Sequence, residues 1–158
     1  MPYYGVVVPS CRIRSQAEGS YVMIPRHLEQ RHYELWSYNV SHGELLLRSV
    51  KNETEETRAD VLFVNVSALK IYRAYSELRL ACFSDISSIA PEEGIDRTFL
   101  ATVGPGDRIF VLDASRQSMI VAGGAGWCED VAEWHDPSLV SAALAGRPDE
   151  RIVDAGRL

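Results

Sequence analysis

The sequence predicts a mostly β domain, an antiparallel β-sandwich or open barrel with one short C-terminal helix. Short apolar runs rich in Val, Ile, Leu and aromatic residues recur along the chain, separated by turn-forming residues. One run, Glu77–Phe83, alternates with period two: Leu78, Leu80 and Cys82 fall on one face, Glu77, Arg79 and Ala81 on the other. That is the pattern of a strand with one wet face. Only one helix start is well specified, at Asp136-Pro137. Strand after strand with a single late helix favours sheet packed on sheet, or one sheet curled on itself.

The elements follow in chain order. Tyr3–Val8, closed by Pro9, is the first expected strand, and Tyr21–Ile24, closed by Pro25, the second. Pro25–Tyr38 reads as helix or loop to about Gln30 and as strand beyond, because His27–Glu34 holds few β-branched residues. Tyr33–Val40 and Glu44–Val50 flank Ser41-His42-Gly43, where glycine supplies the positive φ of a compact hairpin. Arg58–Val66 and Leu69–Tyr72 are strands broken at Ser67-Ala68 by a bulge or a tight turn.

Ser84–Arg97, with Pro91 and Gly94, is a loop; Thr98–Val103 is a weak strand, and Gly104-Pro105-Gly106-Asp107 a turn. Arg108–Leu112 and Ser118–Ala122 form a second hairpin across Asp113–Gln117. The helix has Asp136 as N-cap acceptor, Pro137 at its first position and Gly146 as its stop. Residues 147–158 are polar and read as a mobile tail, leaving a single β-rich domain over residues 1–146.

With 158 residues the chain has the size of one self-sufficient domain. Its 22 acidic and 16 basic residues give a net charge of −6, which argues against nucleic acid and anionic membranes as partners and favours a basic protein surface. The longest nearly apolar stretch, Val61–Val66, is far short of the ~20 residues of a membrane-spanning helix. The first residues lack the basic region of a secretory signal, and three cysteines (Cys11, Cys82, Cys128) without C-x-x-C spacing fit free thiols. A cytoplasmic location is the expectation. Exposed strand edges allow pairing between copies.

Chemistry-bearing residues concentrate in two segments. Trp127-Cys128-Glu129-Asp130-Val131-Ala132-Glu133-Trp134-His135-Asp136 combines acids with two tryptophans, the composition of a protein-contact patch. Trp127, Glu129, Asp130, Glu133, Trp134 and Asp136 are the expected partner-binding residues. A divalent-ion site there needs Glu129 and Glu133 one helical turn apart, and H-E-x-x-H is absent. No metal or other cofactor is therefore expected. The hairpin segment holds Ser41 and His42, but chain neighbours are poorly aimed for nucleophile-and-base work, and no G-x-S-x-G turn exists.

Two further functional readings stand beside the contact patch. A small β-barrel that binds or transforms a small molecule would use Tyr38, His42, Arg48, Arg58, Asp60 and His135. A metal-dependent hydrolase would need Cys128, Glu129 and His135 together. The Gly123-Gly124-Ala125-Gly126 run lacks the Lys-[Ser/Thr] of a phosphate loop and marks a bulge or a close backbone approach. His27 and His32, five apart, do not form a metal pair.

The segment Trp36–Lys51 reads W-x-Y-x-V-S-H-x-x-L-L-x-R-S-x-K, and Thr57–Phe63 reads T-R-x-D-V-L-F. In this order they resemble a group of small uncharacterised bacterial β-rich proteins, and Val121–Asp130 with Asp136-Pro137-Ser138 is similar to a later part of that pattern. The likeness spans most of residues 33–138 and carries no catalytic motif. Some members look like immunity proteins of toxin systems, which implies a non-catalytic protein that binds a protein partner.

Overall fold

In the computed structural model the described residues are 24–84, 86–88, 96–113 and 117–158. The expected strand Tyr3–Val8, and Tyr21–Ile24 except for Ile24, lie outside them. The chain is mostly β. Its strands are β1 (Tyr33–Asn39), β2 (Glu44–Ser49), β3 (Arg58–Lys70), β4 (Ala74–Tyr75), β5 (Ala81–Phe83), β6 (Arg108–Val111), β7 (Met119–Asp130) and β8 (Ile152–Arg157). Three short helices accompany them: α1 (Arg26–Glu29), α2 (Arg97–Leu100) and α3 (Val140–Leu144). The strands make one antiparallel sheet in the order β4-β1-β2-β3-β7-β6-β5, curled into a half-barrel, with β8 also on β7.

β3 and β7 form the spine, paired from Arg58↔Asp130 to Lys70↔Met119. The expected break at Ser67-Ala68 is a bulge: the register shifts between Val66 and Ala68 while the strand continues. One edge of β7 is used twice, by β6 along Met119–Ala122 and by β8 along Gly126–Asp130. The β1–β2 hairpin turns at Gly43, whose φ is +60° and whose carbonyl accepts from Val66 N at 2.8 Å. A Cβ there would lie 3.1 Å from that nitrogen, so glycine serves both the turn and the close approach.

Both faces of the central strands are covered, which is why β2 and the first half of β3 are buried at successive positions rather than at alternate ones. Leu45, Leu47, Val61, Phe63, Phe110 and Trp127 fill the concave face. Phe63 and Phe110 meet edge to face at 5.3 Å. On the convex face, α2 packs against Ile109, Val111, Met119 and Val121, while α3 and the loop before it cover Leu46, Leu62 and Cys128. Among the described residues no helix is long and apolar enough to cross a membrane.

The structure corrects three expectations. Thr98–Val103 is not a strand, because Asp96 accepts from Thr98 N at 2.9 Å and Phe99 N at 3.3 Å and so nucleates α2 instead. Asp136-Pro137 does not start the C-terminal helix. α3 begins at Val140, and the Asp136 carboxylate accepts from Glu133 N at 3.0 Å in a turn. Gly146 still ends that helix, with φ +67°.

The segment 147–158 belongs to the fold. β8 pairs with β7, Leu158 is buried in the concave core, and its carbonyl accepts from Arg108 at 3.0 Å. Its sequence looks polar because β8 lies at a sheet edge with half its residues in solvent. Glu77–Phe83 enters the ladder only at Ala81–Phe83, although Leu78, Leu80 and Cys82 are buried together as the alternation predicts. The glycine run lies within β7, where a Cβ on Gly126 would press into Leu144 Cδ1.

Candidate functional site

Strand register places four charged side chains side by side on the convex face. Arg48 on β2 is the partner of Asp60 on β3, and Arg58, two residues from Asp60, is the partner of Asp130 on β7. Each pair closes as a two-pronged fork. Arg48 donates to Asp60 at 2.7 and 2.8 Å, and Arg58 donates to Asp130 at 3.0 and 2.9 Å. None of the four exceeds 2% exposure, so the two cations and two anions form a neutral layer inside the protein. Planar guanidinium groups suit this role because their donors match carboxylate geometry.

The donors left over point at a loop. Arg48 Nη1 reaches the carbonyls of Trp134 (2.7 Å) and Asp136 (3.1 Å). Arg58 reaches those of Glu133 (2.8 Å), Asp136 (2.8 Å) and Pro137 (3.1 Å). Asp130 Oδ1 also accepts from Ala132 N at 3.0 Å. Residues 131–139 are thus held to the sheet through their backbone, which leaves several of their side chains to solvent.

The loop presents Trp134, 59% exposed, against Trp36, 36% exposed. The two rings meet edge to face at 6.1 Å. Trp36 is the extra residue of a bulge between Leu35 and Ser37 in β1. The Arg48 guanidinium stacks 4.9 Å from its centroid, and His135 packs on Trp134 at 5.2 Å. A slot of about 220 Å³ lies here, bordered by Trp36, Trp134, Glu34, Val50 and Asn52. A larger, shallow groove of about 950 Å³ runs from the β1–β2 hairpin to His135–Ser138.

The expected sites are distributed differently from the sequence reading. Trp127, Glu129 and Asp130 are buried within β7, because the strand continues through all three and is paired on both sides. Glu133 and Trp134 are exposed, and Asp136 is half-buried. Glu133 meets Lys51 at 3.2 Å. Of the residues expected in a pocket, Tyr38, Arg48 and His135 border the groove. Arg58 and Asp60 lie beneath it, and His42 sits at the hairpin tip. There Asn39 Oδ1 accepts from Ser41 Oγ at 2.8 Å and from His42 N at 3.3 Å, a side-chain turn that shapes the loop.

Cys128, Glu129 and His135 do not converge. Adjacent strand residues face opposite ways: Cys128 is buried under α3, its thiol pushed up to about 12 by burial and then by the charges of Asp130 and Asp60. Glu129 faces the other way and bonds His27 at 3.0 Å and Thr57 at 2.6 Å, with Arg31 at 3.7 Å. His135 stands in the exposed loop. Among the described residues no group of three or more His, Cys, Asp or Glu is placed to hold a metal ion.

Sequence reasoning missed Trp36 as an exposed indole and Arg31, His27 and Thr57 as partners of Glu129. A usable signal existed: Arg48, Arg58 and Asp60 lie inside apolar strands, where a charge requires a partner. Comparison of the chain with protein-family models, curated proteins and solved structures returned no match.

Proposed function

We propose that this chain is a non-catalytic binding protein whose contact surface centres on Trp36 and Trp134 and whose partner is a protein of basic or aromatic surface. The observation that carries the reading is the exposure of both indoles, Trp36 on the β1 bulge and Trp134 on a loop fixed by buried Arg–Asp forks. Apolar area kept in water and held rigid suits association, since the surface loses little freedom when it binds. Tryptophan is also the residue type most enriched among interface anchors. The acidic balance of the chain, −6, complements a basic partner. An accessory or neutralising role in the cytoplasm, of the kind the immunity-like resemblance implies, fits this picture.

The test is affinity capture from native cells at near-physiological salt with the wild-type chain and Trp134→Ala in parallel. A protein retained by the first and lost by the second supports the reading. Identical retention by both removes it. The groove of about 950 Å³ favours a second reading, small-molecule binding near Tyr38, Glu44 and His135. The Arg48, Arg58 and Asp60 groups are already committed to one another and to the loop. A ligand would have to be recognised without them, and a melting temperature indifferent to a broad metabolite panel would dispose of it.

A further inference from the structure

We propose that the partner is recognised by strand addition: an extended segment carrying Arg or Lys pairs with the edge of β1 at Ser37–Asn39 that no described strand occupies. This rests on the protein-binding reading above and specifies its mode.

The backbone supplies the first reason. Among the described residues, β1 pairs with β4 only at Tyr33 and Glu34, and Leu35 N donates to Arg73 O at 2.8 Å. Beyond that point no described strand lies on the outer edge, so the peptide groups from Ser37 onward present a template for another strand.

The flanking side chains supply the second. Trp36 sits beside Arg48 on the convex face. Leu35 and Tyr38 are register partners of Leu47 and Leu45, both in the concave core. Leu35, Trp36, Tyr38 and Val40 are 36%, 36%, 40% and 77% exposed. An added strand would therefore meet apolar surface on both sides and extend the half-barrel by one position. Trp36, the extra residue of the bulge, limits this edge to a few residues, which suits one short segment rather than indiscriminate pairing.

Charge selects the occupant. Glu44 and Asp136 border the groove beside this edge. Arg151 meets Asp136 at 3.8 Å and Arg48 is neutralised by Asp60, while no described cation pairs with Glu44. Arg73 flanks only the end where β4 already pairs. A basic segment complements this strip, and its cations gain the faces of exposed aromatic rings. A second copy would bring the same acids and a further −6 of charge.

The test uses the full chain, immobilised, against a displayed library of random dodecapeptides. Enrichment is expected for peptides with Arg or Lys at alternate positions, since alternate residues of a strand share a face. A synthesised winner should protect the amides of Ser37–Asn39 from hydrogen exchange and shift their NMR resonances. Glu44→Gln should weaken it about fivefold, the scale of one exposed ion pair. N-methylation of single peptide nitrogens in the winner should abolish binding at alternate positions, a probe that leaves the chain intact. Failure to enrich basic peptides overturns the proposal, as does binding indifferent to N-methylation or sedimentation showing that the chain pairs with itself through this edge. Peptides that bind, lose affinity on Trp134→Ala and leave Ser37–Asn39 unchanged would overturn strand addition while leaving the protein-binding reading intact.

Discussion

Arg58 and Asp130 face one another across β3 and β7 as a two-pronged pair at 3.0 and 2.9 Å, neither exposed to solvent. Such a pair contributes little net stability compared with well-packed apolar residues, but loss of one partner strands a buried charge. Asp130→Ala is therefore expected to destabilise the domain by about 3–5 kcal/mol, read as a lower denaturation midpoint at unchanged slope. A loss under about 1 kcal/mol would mean that water reaches Arg58.

Arg48 to Lys is not a conservative change here. One ammonium cannot serve both Asp60 oxygens and the carbonyls of Trp134 and Asp136 at once. Arg48→Lys should cost about 2 kcal/mol and free the loop. Near-ultraviolet circular dichroism should lose much of its indole signal as Trp36 and Trp134 come apart, and amide exchange at Glu133–Asp136 should accelerate. An unchanged spectrum would show that the indoles hold one another without the guanidinium.

Glu129 makes the stability depend on pH. Burial by itself raises its carboxyl, but hydrogen bonds from Thr57 and His27, then the charges of His27 and Arg31, outweigh burial and hold it below the usual glutamate value. A lowered folded-state pKa stabilises the fold above the unfolded-state value of about 4.3. That stabilisation disappears as the pH falls through the folded-state value. Wild-type stability should therefore drop more steeply than that of Glu129→Gln between about pH 5 and pH 3. Parallel curves would refute the assignment.

The last residues close the sheet. A Cβ on Gly156 would lie 2.7 Å from Trp127 Nε1, so β8 presses directly on the indole. Gly156→Ala should destabilise by about 1–3 kcal/mol through overpacking. A chain ending at Gly146 should lose cooperative melting altogether, since it uncovers the β7 edge and removes Leu158 from the core. A sharp thermal transition in that truncated chain would return residues 147–158 to the status of a tail.

The fold was legible where local chemistry decides it. Gly43 marks the hairpin, Ser67-Ala68 the bulge and Gly146 the helix end, because each depends on one or two residues. Partnership across the chain was not legible. Trp127–Asp130 has the composition of an exposed patch, and only the pairing of β7 with β3 and β8 shows that three of its residues lie inside. Arg48, Arg58 and Asp60 were legible as polar groups for a pocket, and Asp130 as an acid of a contact patch. That they satisfy one another depends on register, which single positions do not encode. Asp136-Pro137 carries a local helix-start signal that was overridden when Arg48 and Arg58 took the carbonyls of the same segment.

The way the loop is gripped has a consequence for how such a protein evolves. Arg48 and Arg58 hold Glu133, Trp134, Asp136 and Pro137 by carbonyl oxygens, groups that every amino acid possesses. Substitution at Glu133, Trp134 or His135 therefore changes the chemistry of the surface without moving the backbone that carries it. Lineages that retain the two forks are free to exchange these side chains at little cost to folding. The domain behaves as a fixed frame around rewritable text.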